Sequence, residues 1–185
     1  MAIDREQIFL FPGETLVDTV FEKGIRFDIV KRDEAIWCGT LGYAANLTDE
    51  PDIQGLIAGY EALASVEKRK LVSPDWSGCL SISYWPGGEA PHGIMFMQQV
   101  AATEQDERYD VYKTPASLYI RIHYDSAEVP EKLLGKGQCQ VFELYGPIHE
   151  LAVKQGYEAV SPAGIEFEYY GPASCYAYCA VKEKI

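Results

Sequence analysis

The two halves of this 185-residue sequence carry the same order of predicted elements, and this repeat limits the possible fold more than any other feature. In each half one strand pattern is followed by a helix pattern and then by two further strand patterns. The first half places them at residues 26–43, 48–68, 79–85 and 93–101, and the second at residues 116–123, 141–156, 165–170 and 174–182. Because neither half covers its own strands, we expect both to share antiparallel sheet around a common axis, with two helices on one face. The sequence therefore predicts a duplicated α+β domain.

Residues 1–24 precede the first repeat and are interpreted as an N-terminal extension that packs onto the domain. Residues 25–185 then form a single domain, with repeat one at about 25–102 and repeat two at about 109–183. Within the extension, the pattern from Thr15 to Glu22 is compatible with a short helix. Two further local features are predicted: a bend at the charged segment 31–34, and a kink in the second helix at Pro147.

Acidic residues dominate the charge, since 28 Asp and Glu against 16 Lys and Arg give a net charge of −12. This field repels nucleic acid and anionic membranes, so direct binding to either is not expected, whereas a neutral or cationic ligand suits it. No apolar run is long enough to span a membrane, and acidic residues occupy the N-terminus where a signal peptide is basic. The five scattered cysteines favour reduced thiols and a cytoplasmic location.

The predicted strand at residues 165–170 carries the most informative side chains. Since side chains alternate along a strand, one face receives Ile165, Phe167 and Tyr169, and the other receives Glu166, Glu168 and Tyr170. An exposed acid is the simpler interpretation of Glu168. Buried among aromatic rings, the same carboxylate would favour cations, because desolvation disfavours its charge until a cation restores it. In such a pocket it would also suit a general base acting on water.

Aromatic residues are unusually frequent, with thirteen tyrosines and three tryptophans. Their rings combine a large apolar face with a polar group, which suits ligand pockets and interfaces. For any one of these residues, ordinary core packing is the commoner role, but the excess as a set favours an aromatic cage. The candidate ligand-binding residues are Trp37, Tyr43, Tyr84, Trp85, Phe96, Tyr145, Glu168 and Tyr170.

Metal and cofactor motifs are not recognised in the sequence. The three histidines, His92, His123 and His149, are too widely spaced to predict a metal site, and no paired-cysteine motif is present. Nucleotide-binding glycine motifs and the serine-hydrolase motif are missing as well. We therefore expect neither a metal nor a cofactor.

The second half resembles the GyrI-like small-molecule-binding domain, which also serves as the effector-binding module of some multidrug-responsive transcription regulators. Two segments carry the resemblance, Gln155-Gly156-Tyr157-Glu158 and Phe167-Glu168-Tyr169-Tyr170, together with the repeated element order over about residues 25–183. The long polar loop before the second helix and Pro147 depart from the family pattern. The resemblance implies an aromatic cleft between the repeats with Glu168 as the pocket glutamate at its floor and Tyr170 beside it.

Three functions follow as alternatives from this resemblance. The first is a standalone binding protein for bulky apolar or cationic aromatic compounds, acting as a monomer or homodimer in drug or toxin tolerance. The second is a hydrolase that opens the cyclopropane ring of DNA-alkylating compounds, with Glu168 and Tyr170 as the candidate catalytic residues. The third is a gyrase-interacting inhibitor protein, which would use its acidic surface rather than a pocket.

Overall fold

The computed structural model describes residues 8–44, 71–82, 92–160 and 166–184, together with Gly55 and Ala58. The first predicted helix, at residues 48–68, lies outside the described residues except for those two positions, which are helical. The predicted turn and strand end that carry Tyr84 and Trp85 lie outside them entirely.

Ten strands and two α-helices are described, and together they form the predicted α+β fold. The strands are β1 (Glu14–Glu22), β2 (Ile25–Arg32), β3 (Ala35–Ala44), β4 (Ser77–Ile82), β5 (His92–Val100), β6 (Asp110–Thr114), β7 (Ser117–Tyr124), β8 (Tyr157–Ala159), β9 (Glu166–Tyr170) and β10 (Cys175–Glu183). The helices are α1 (Glu128–Leu134) and α2 (Tyr145–Lys154), and a 3-10 helix (Val141–Leu144) directly precedes α2. No described helix is long and apolar enough to cross a membrane.

The strand order preserves the duplication that the sequence predicts. The antiparallel sheet runs β1-β2-β7-β10-β9-β4-β5-β3-β6, and β8 pairs with β10. Its six middle strands are β7-β10-β9 from the second repeat followed by β4-β5-β3 from the first. In each repeat the first strand, β3 or β7, lies farthest from the other repeat, and the last strand, β5 or β10, lies in the middle. The remaining strands, β4 and β9, pair with each other where the two repeats meet. The two repeats are therefore related about an axis between β9 and β4.

The strands β2 and β3 form one continuous ladder with β7 and β6. Arg32 of β2 pairs with Ser117 of β7. Ala35 of β3, three residues after Arg32, pairs with Thr114 of β6, three residues before Ser117. The predicted bend interrupts the strand at residues 33–34, yet the register of the ladder is the same on both sides of the bend. The predicted single strand at 26–43 is thus two strands, which lie in different parts of the sheet.

The segment from Thr15 to Glu22 belongs to strand β1, so the helix considered for it was wrong. Alternating residues of this segment, Thr15, Val17, Thr19 and Phe21, are β-branched or aromatic and favour extended backbone. Lys23 and Gly24 follow with φ angles of 51° and 77°, the left-handed values of a two-residue hairpin turn. The segment therefore pairs with β2 as the first arm of a hairpin.

The second helix begins later than its apolar pattern indicates, and Pro147 does not lie within its interior. Val141 to Leu144 form the 3-10 turn, and α2 starts at Tyr145, which places Pro147 in the first helical turn. Backbone N–H groups of the first turn have no partner inside the helix, so proline costs nothing there. The predicted kink is consequently replaced by a helix start, and the preceding polar loop contains the short helix α1.

Side chains pack on both faces of the sheet. The face covered by α1 and α2 carries a largely aliphatic group of buried residues, here called the helix-side cluster, which includes Phe27, Ile120, Ile122, Ile148 and Leu151. The other face carries the aromatic cluster, which includes Phe11, Trp37, Phe167, Tyr169 and Tyr178. Side chains that alternate along β9 therefore point alternately toward the aromatic cluster and toward the helix side of the sheet.

Candidate functional site

Strand β9 alternates as the sequence predicts, and the alternation directs Glu168 toward the helix side. Phe167 and Tyr169 are fully buried in the aromatic cluster on the opposite face. Glu168 is itself buried, with 8% of its surface exposed. A carboxylate this buried is uncommon unless it has polar partners.

Two tyrosine hydroxyls supply the hydrogen bonds that Glu168 accepts. Tyr145 on α2 donates to Oε1 over 3.4 Å, and Tyr170 donates to Oε2 from two residues along the same strand. Burial raises the pKa of the Glu168 carboxyl, while the hydrogen bonds from Tyr170 and Tyr145 oppose that rise. Burial, followed by the charge of Glu168, raises the pKa of each tyrosine, so both hydroxyls remain protonated donors.

Glu168 lies at the seam between the two repeats. It pairs directly with Cys79 of β4, the strand contributed by the first repeat. Cys79 in turn pairs with Phe96 of β5, so these three side chains follow one another across a single face. Burial, and then the charge of Glu168, raises the pKa of the Cys79 thiol, which keeps it protonated. Glu168 therefore lies where the two repeats meet, and its role in a ligand pocket stays a prediction.

A cavity of about 410 Å³ opens beside Tyr170. Its lining includes Tyr124, Gly137 and Cys175. Cys175 pairs with Tyr170 between β10 and β9, and burial followed by the charge of Glu168 raises the pKa of its thiol to about 12. The cavity therefore adjoins Tyr170, one of the two hydrogen-bond partners of Glu168. The Tyr170 side chain is 37% exposed and lies between the carboxylate and solvent.

A second polar group lies on the same face, one alternation step along β9. Glu166 is paired in register with Cys179 of β10, and His149 of α2 lies over both. The His149 Nε2 atom is 2.7 Å from Glu166 Oε1 and 3.3 Å from Cys179 Sγ. The hydrogen bond with Glu166 raises the pKa of His149, and burial, followed by the charge of Glu166, raises that of Cys179 to about 12.

The aromatic cluster on the opposite face surrounds a cation that belongs to the chain itself. The guanidinium carbon of Arg32 lies 4.8 Å from the ring centroid of Phe167 and 5.3 Å from that of Tyr178. Tyr169 and Trp37 are at 5.4 and 5.7 Å. The tyrosine excess thus includes an aromatic cage, but these rings enclose a buried arginine.

The other predicted ligand-binding residues fall at different places. Trp37 is fully buried in the aromatic cluster, where its Nε1 donates to Thr114 over 3.0 Å. Phe96 is half-buried and shares the face of Glu168. The backbone of Tyr43 pairs with Gly93 near the end of β3, and its side chain lies outside the described part of the structure. Tyr84 and Trp85 also lie outside it, so their ligand roles stay predictions.

Sequence reasoning missed the contribution of Cys79, Cys175, His149 and Cys179 to this face. His149 follows Tyr145 by four residues, and helical spacing would have placed both on one side of the second helix. The cysteines gave no comparable signal, because Cys79 reaches β9 through a long-range strand pair and Cys175 and Cys179 reach it through the register of the β9–β10 hairpin.

Solved structures share this fold at low sequence identity. The C-terminal domain of EcmrR matches with a TM-score of 0.60 at 10% identity, covering 87% of this chain and 99% of that domain. EcmrR in its complex with DNA matches with a TM-score of 0.56 at 11% identity, covering 86% of this chain, which spans 57% of the EcmrR chain. SAV2435 bound to tetraphenylphosphonium matches with a TM-score of 0.55 at 17% identity, covering 84% of this chain and 93% of that one. Neither a family model nor a curated protein sequence matches. The chain therefore has the fold of the EcmrR C-terminal domain and of SAV2435.

Proposed function

We propose that this protein binds a bulky aromatic cation at the seam between its repeats, with Glu168 as the anionic partner. The observation that carries the proposal is a buried carboxylate whose hydrogen-bond partners are both neutral tyrosine hydroxyls. Among the residues that the structure describes, no Lys, Arg or His forms an ion pair with Glu168. A cation brought to this face would supply the missing positive charge.

The surrounding groups suit an aromatic cation. Tyr145 and Tyr170 present rings as well as hydroxyls, and Phe96 lies two strands away on the same face, about 10 Å across the sheet. Each ring that contacts a cation contributes roughly 0.5–2 kcal/mol. The cavity beside Tyr170 offers a route by which a ligand reaches the carboxylate once that side chain turns aside.

The shared fold supports the same proposal. The structure of SAV2435 contains tetraphenylphosphonium, a cation with four aromatic rings. EcmrR is a protein seen bound to DNA, and its C-terminal domain is the part that this chain resembles in fold. Binding of a hydrophobic cation is therefore compatible with this architecture, and Glu168 is the residue to which we assign it here.

Titration with tetraphenylphosphonium tests the proposal through quenching of the intrinsic fluorescence. We expect saturable binding, and Glu168→Gln to weaken it by about tenfold or more, since losing one charge-assisted contact costs about 1.5–3 kcal/mol. Tetraphenylborate, which has a similar shape and the opposite charge, should not bind the native protein.

A matched control separates the local carboxylate from the overall acidity of the chain. Glu158→Gln removes the same charge from an exposed side chain on β8 that pairs with Lys182. We expect this variant to bind like the native protein. Equal losses from Glu158→Gln and Glu168→Gln would show nonspecific attraction to the acidic surface and would contradict the proposal.

The ring-opening hydrolase is the second candidate, and the raised pKa of Glu168 is the observation that favours it. A carboxyl with a raised pKa is a stronger base when ionised, which favours its taking a proton from water. Incubation with a cyclopropane-bearing alkylating compound, followed by mass spectrometry, should then yield a product heavier by one water. Recovery of the intact compound alone, while it binds to the protein, would leave binding as the function.

A further inference from the structure

Three side chains of the kinds that bind metal ions converge above strands β9 and β10. They come from three elements: His149 from α2, Glu166 from β9 and Cys179 from β10. Their Nε2, carboxylate oxygen and Sγ atoms all lie within 4.8 Å of one another. This group contains neither hydrogen-bond partner of Glu168, and its only effect on that carboxyl is the charge of Glu166, a minor cause of the raised Glu168 pKa.

The backbone holds these atoms together without any ion. Cys179 and Glu166 are directly opposite each other in the antiparallel ladder, so their side chains leave the sheet on the same face. Ile148 and Leu151 fix α2 against this face through the helix-side cluster, and His149 lies between them in sequence. The positions of the three donors are therefore set by core packing.

The hydrogen bonds within the group converge on one atom of His149. A single nitrogen, His149 Nε2, faces both the carboxylate and the sulfur. If Nε2 carries a proton, the thiol can only be a weak acceptor; if it does not, its lone pair faces the carboxylate oxygen 2.7 Å away. A metal ion in place of that proton would accept electron pairs from all three atoms.

We propose that His149, Glu166 and Cys179 form a binding site for a divalent cation of the zinc class. Nitrogen, sulfur and one carboxylate oxygen are a combination that Zn²⁺ binds, and three protein ligands leave a fourth position for water or an exogenous ligand. The His149 side chain is 45% exposed and that of Glu166 is 25% exposed, so an ion can enter from solvent. On binding, the Cys179 thiol loses its proton to solvent and its sulfur forms the metal bond.

The change in geometry that this requires is small. Tetrahedral Zn²⁺ with bond lengths of about 2.0–2.3 Å separates its ligand atoms by about 3.3–3.7 Å. The sulfur–nitrogen distance of 3.3 Å already lies in this range, and the nitrogen–oxygen distance of 2.7 Å must lengthen. The oxygen–sulfur distance, which is within 4.8 Å, must fall in the same range, so the Glu166 carboxylate and the imidazole both rotate while the two strands stay in place.

Titration of the full chain with Co²⁺, after treatment with a chelator, tests this site. We expect one Co²⁺ per chain, with a thiolate-to-cobalt charge-transfer band in the near ultraviolet that Zn²⁺ abolishes by displacement. Cys179→Ala should lose the band, and His149→Gln should lose it or weaken binding by at least tenfold. Because His149 is partly exposed, its variant keeps the fold even if Cys179→Ala does not.

Control variants distinguish this site from the other thiols. Cys139→Ser and Cys175→Ser change two cysteines that lie near each other, of which Cys175 is paired with Tyr170, and both should keep the band. Glu168→Gln should keep it as well, so failure of cation binding at Glu168 and failure of metal binding can be told apart. No charge-transfer band in the native protein, or a band that survives in His149→Gln at unchanged affinity, would overturn the proposal.

Discussion

The two faces of the sheet handle buried charge in opposite ways. Within the aromatic cluster, Glu14 accepts ion pairs from Arg121 at 2.8 Å and Arg32 at 3.3 Å, and Arg121 also pairs with Asp28 at 3.1 Å. On the helix side, Glu168 is buried to a similar degree but receives hydrogen bonds from neutral tyrosines. One face compensates its charges internally, and the other leaves a carboxylate without a cation among the described residues.

This difference separates a structural role from a binding role. A buried ion-pair network whose charges compensate one another gains little from binding a charged ligand. Removing one member leaves the others as uncompensated buried charges. A buried carboxylate without a counterion has a raised pKa and gains from any cation that reaches it. A count of aromatic rings does not identify the face that binds a ligand, because the face with more rings is the one that encloses Arg32.

The largest expected effect comes from neutralising the two glutamates in parallel. Glu14→Gln should lower the free energy of unfolding by about 3–5 kcal/mol, because Arg32 and Arg121 lose their shared counterion. Glu168→Gln should change it by no more than about 1 kcal/mol, because the glutamine oxygen still accepts from one tyrosine hydroxyl and its NH2 group can donate to the oxygen of the other. Urea denaturation of the two variants measures both values, and equal losses would abolish the contrast between the faces.

An intermediate effect is expected from the hydroxyl that Tyr170 donates. Tyr170→Phe should lower the free energy of unfolding by about 1.5–3 kcal/mol if Glu168 is ionised, since hydrogen bonds to charged groups have that value. In the Glu168→Gln background the same change should cost about 1 kcal/mol, and the double-mutant cycle gives the coupling. Tyr157→Phe serves as the control on β8. An uncoupled pair would indicate that the carboxyl is protonated.

The smallest effect is expected from an exposed ion pair. Its contribution to the free energy of unfolding is the reference for the effects at the buried glutamates and at Tyr170. Lys182 and Glu158 lie 3.0 Å apart with side chains 59% and 47% exposed. Lys182→Ala should change the free energy of unfolding by less than about 1 kcal/mol, and added salt should shrink the change further. A larger loss would mean that β8 depends on this pair for its attachment to β10.

The parts of this arrangement that follow from local periodicity could be predicted from the sequence. Strand alternation placed Glu168 with Tyr170 and apart from Phe167, and the repeated element order predicted the duplicated sheet. Helix α2 was also expected, although its first turn was placed too early because the 3-10 segment continues the apolar pattern.

The parts that depend on long-range register could not be predicted. Glu14 lies in a segment interpreted as an extension, and its role as the partner of Arg121 arises only when β1 pairs with β2 and β2 pairs with β7. The place of Trp37 in the aromatic cluster could not be predicted either, because aromatic type alone does not reveal which face of the sheet a residue occupies. Cys179 meets Glu166 within the β9–β10 hairpin, where the alternation of each strand alone did not specify which residues lie opposite each other.

The register that the β2–β7 and β3–β6 pairs share across the bend has a consequence for how this chain can change in length. A residue inserted at positions 33–34 alone would displace β3 by one step against β6 while β2 stayed fixed against β7. Such a step exchanges the two faces of every residue beyond it, so Trp37 would leave the aromatic cluster and Cys38, buried on the opposite face, would take its place. Insertions are therefore tolerated at the bend only in matched pairs on both strands, whereas the connection at residues 101–109 carries no such restriction.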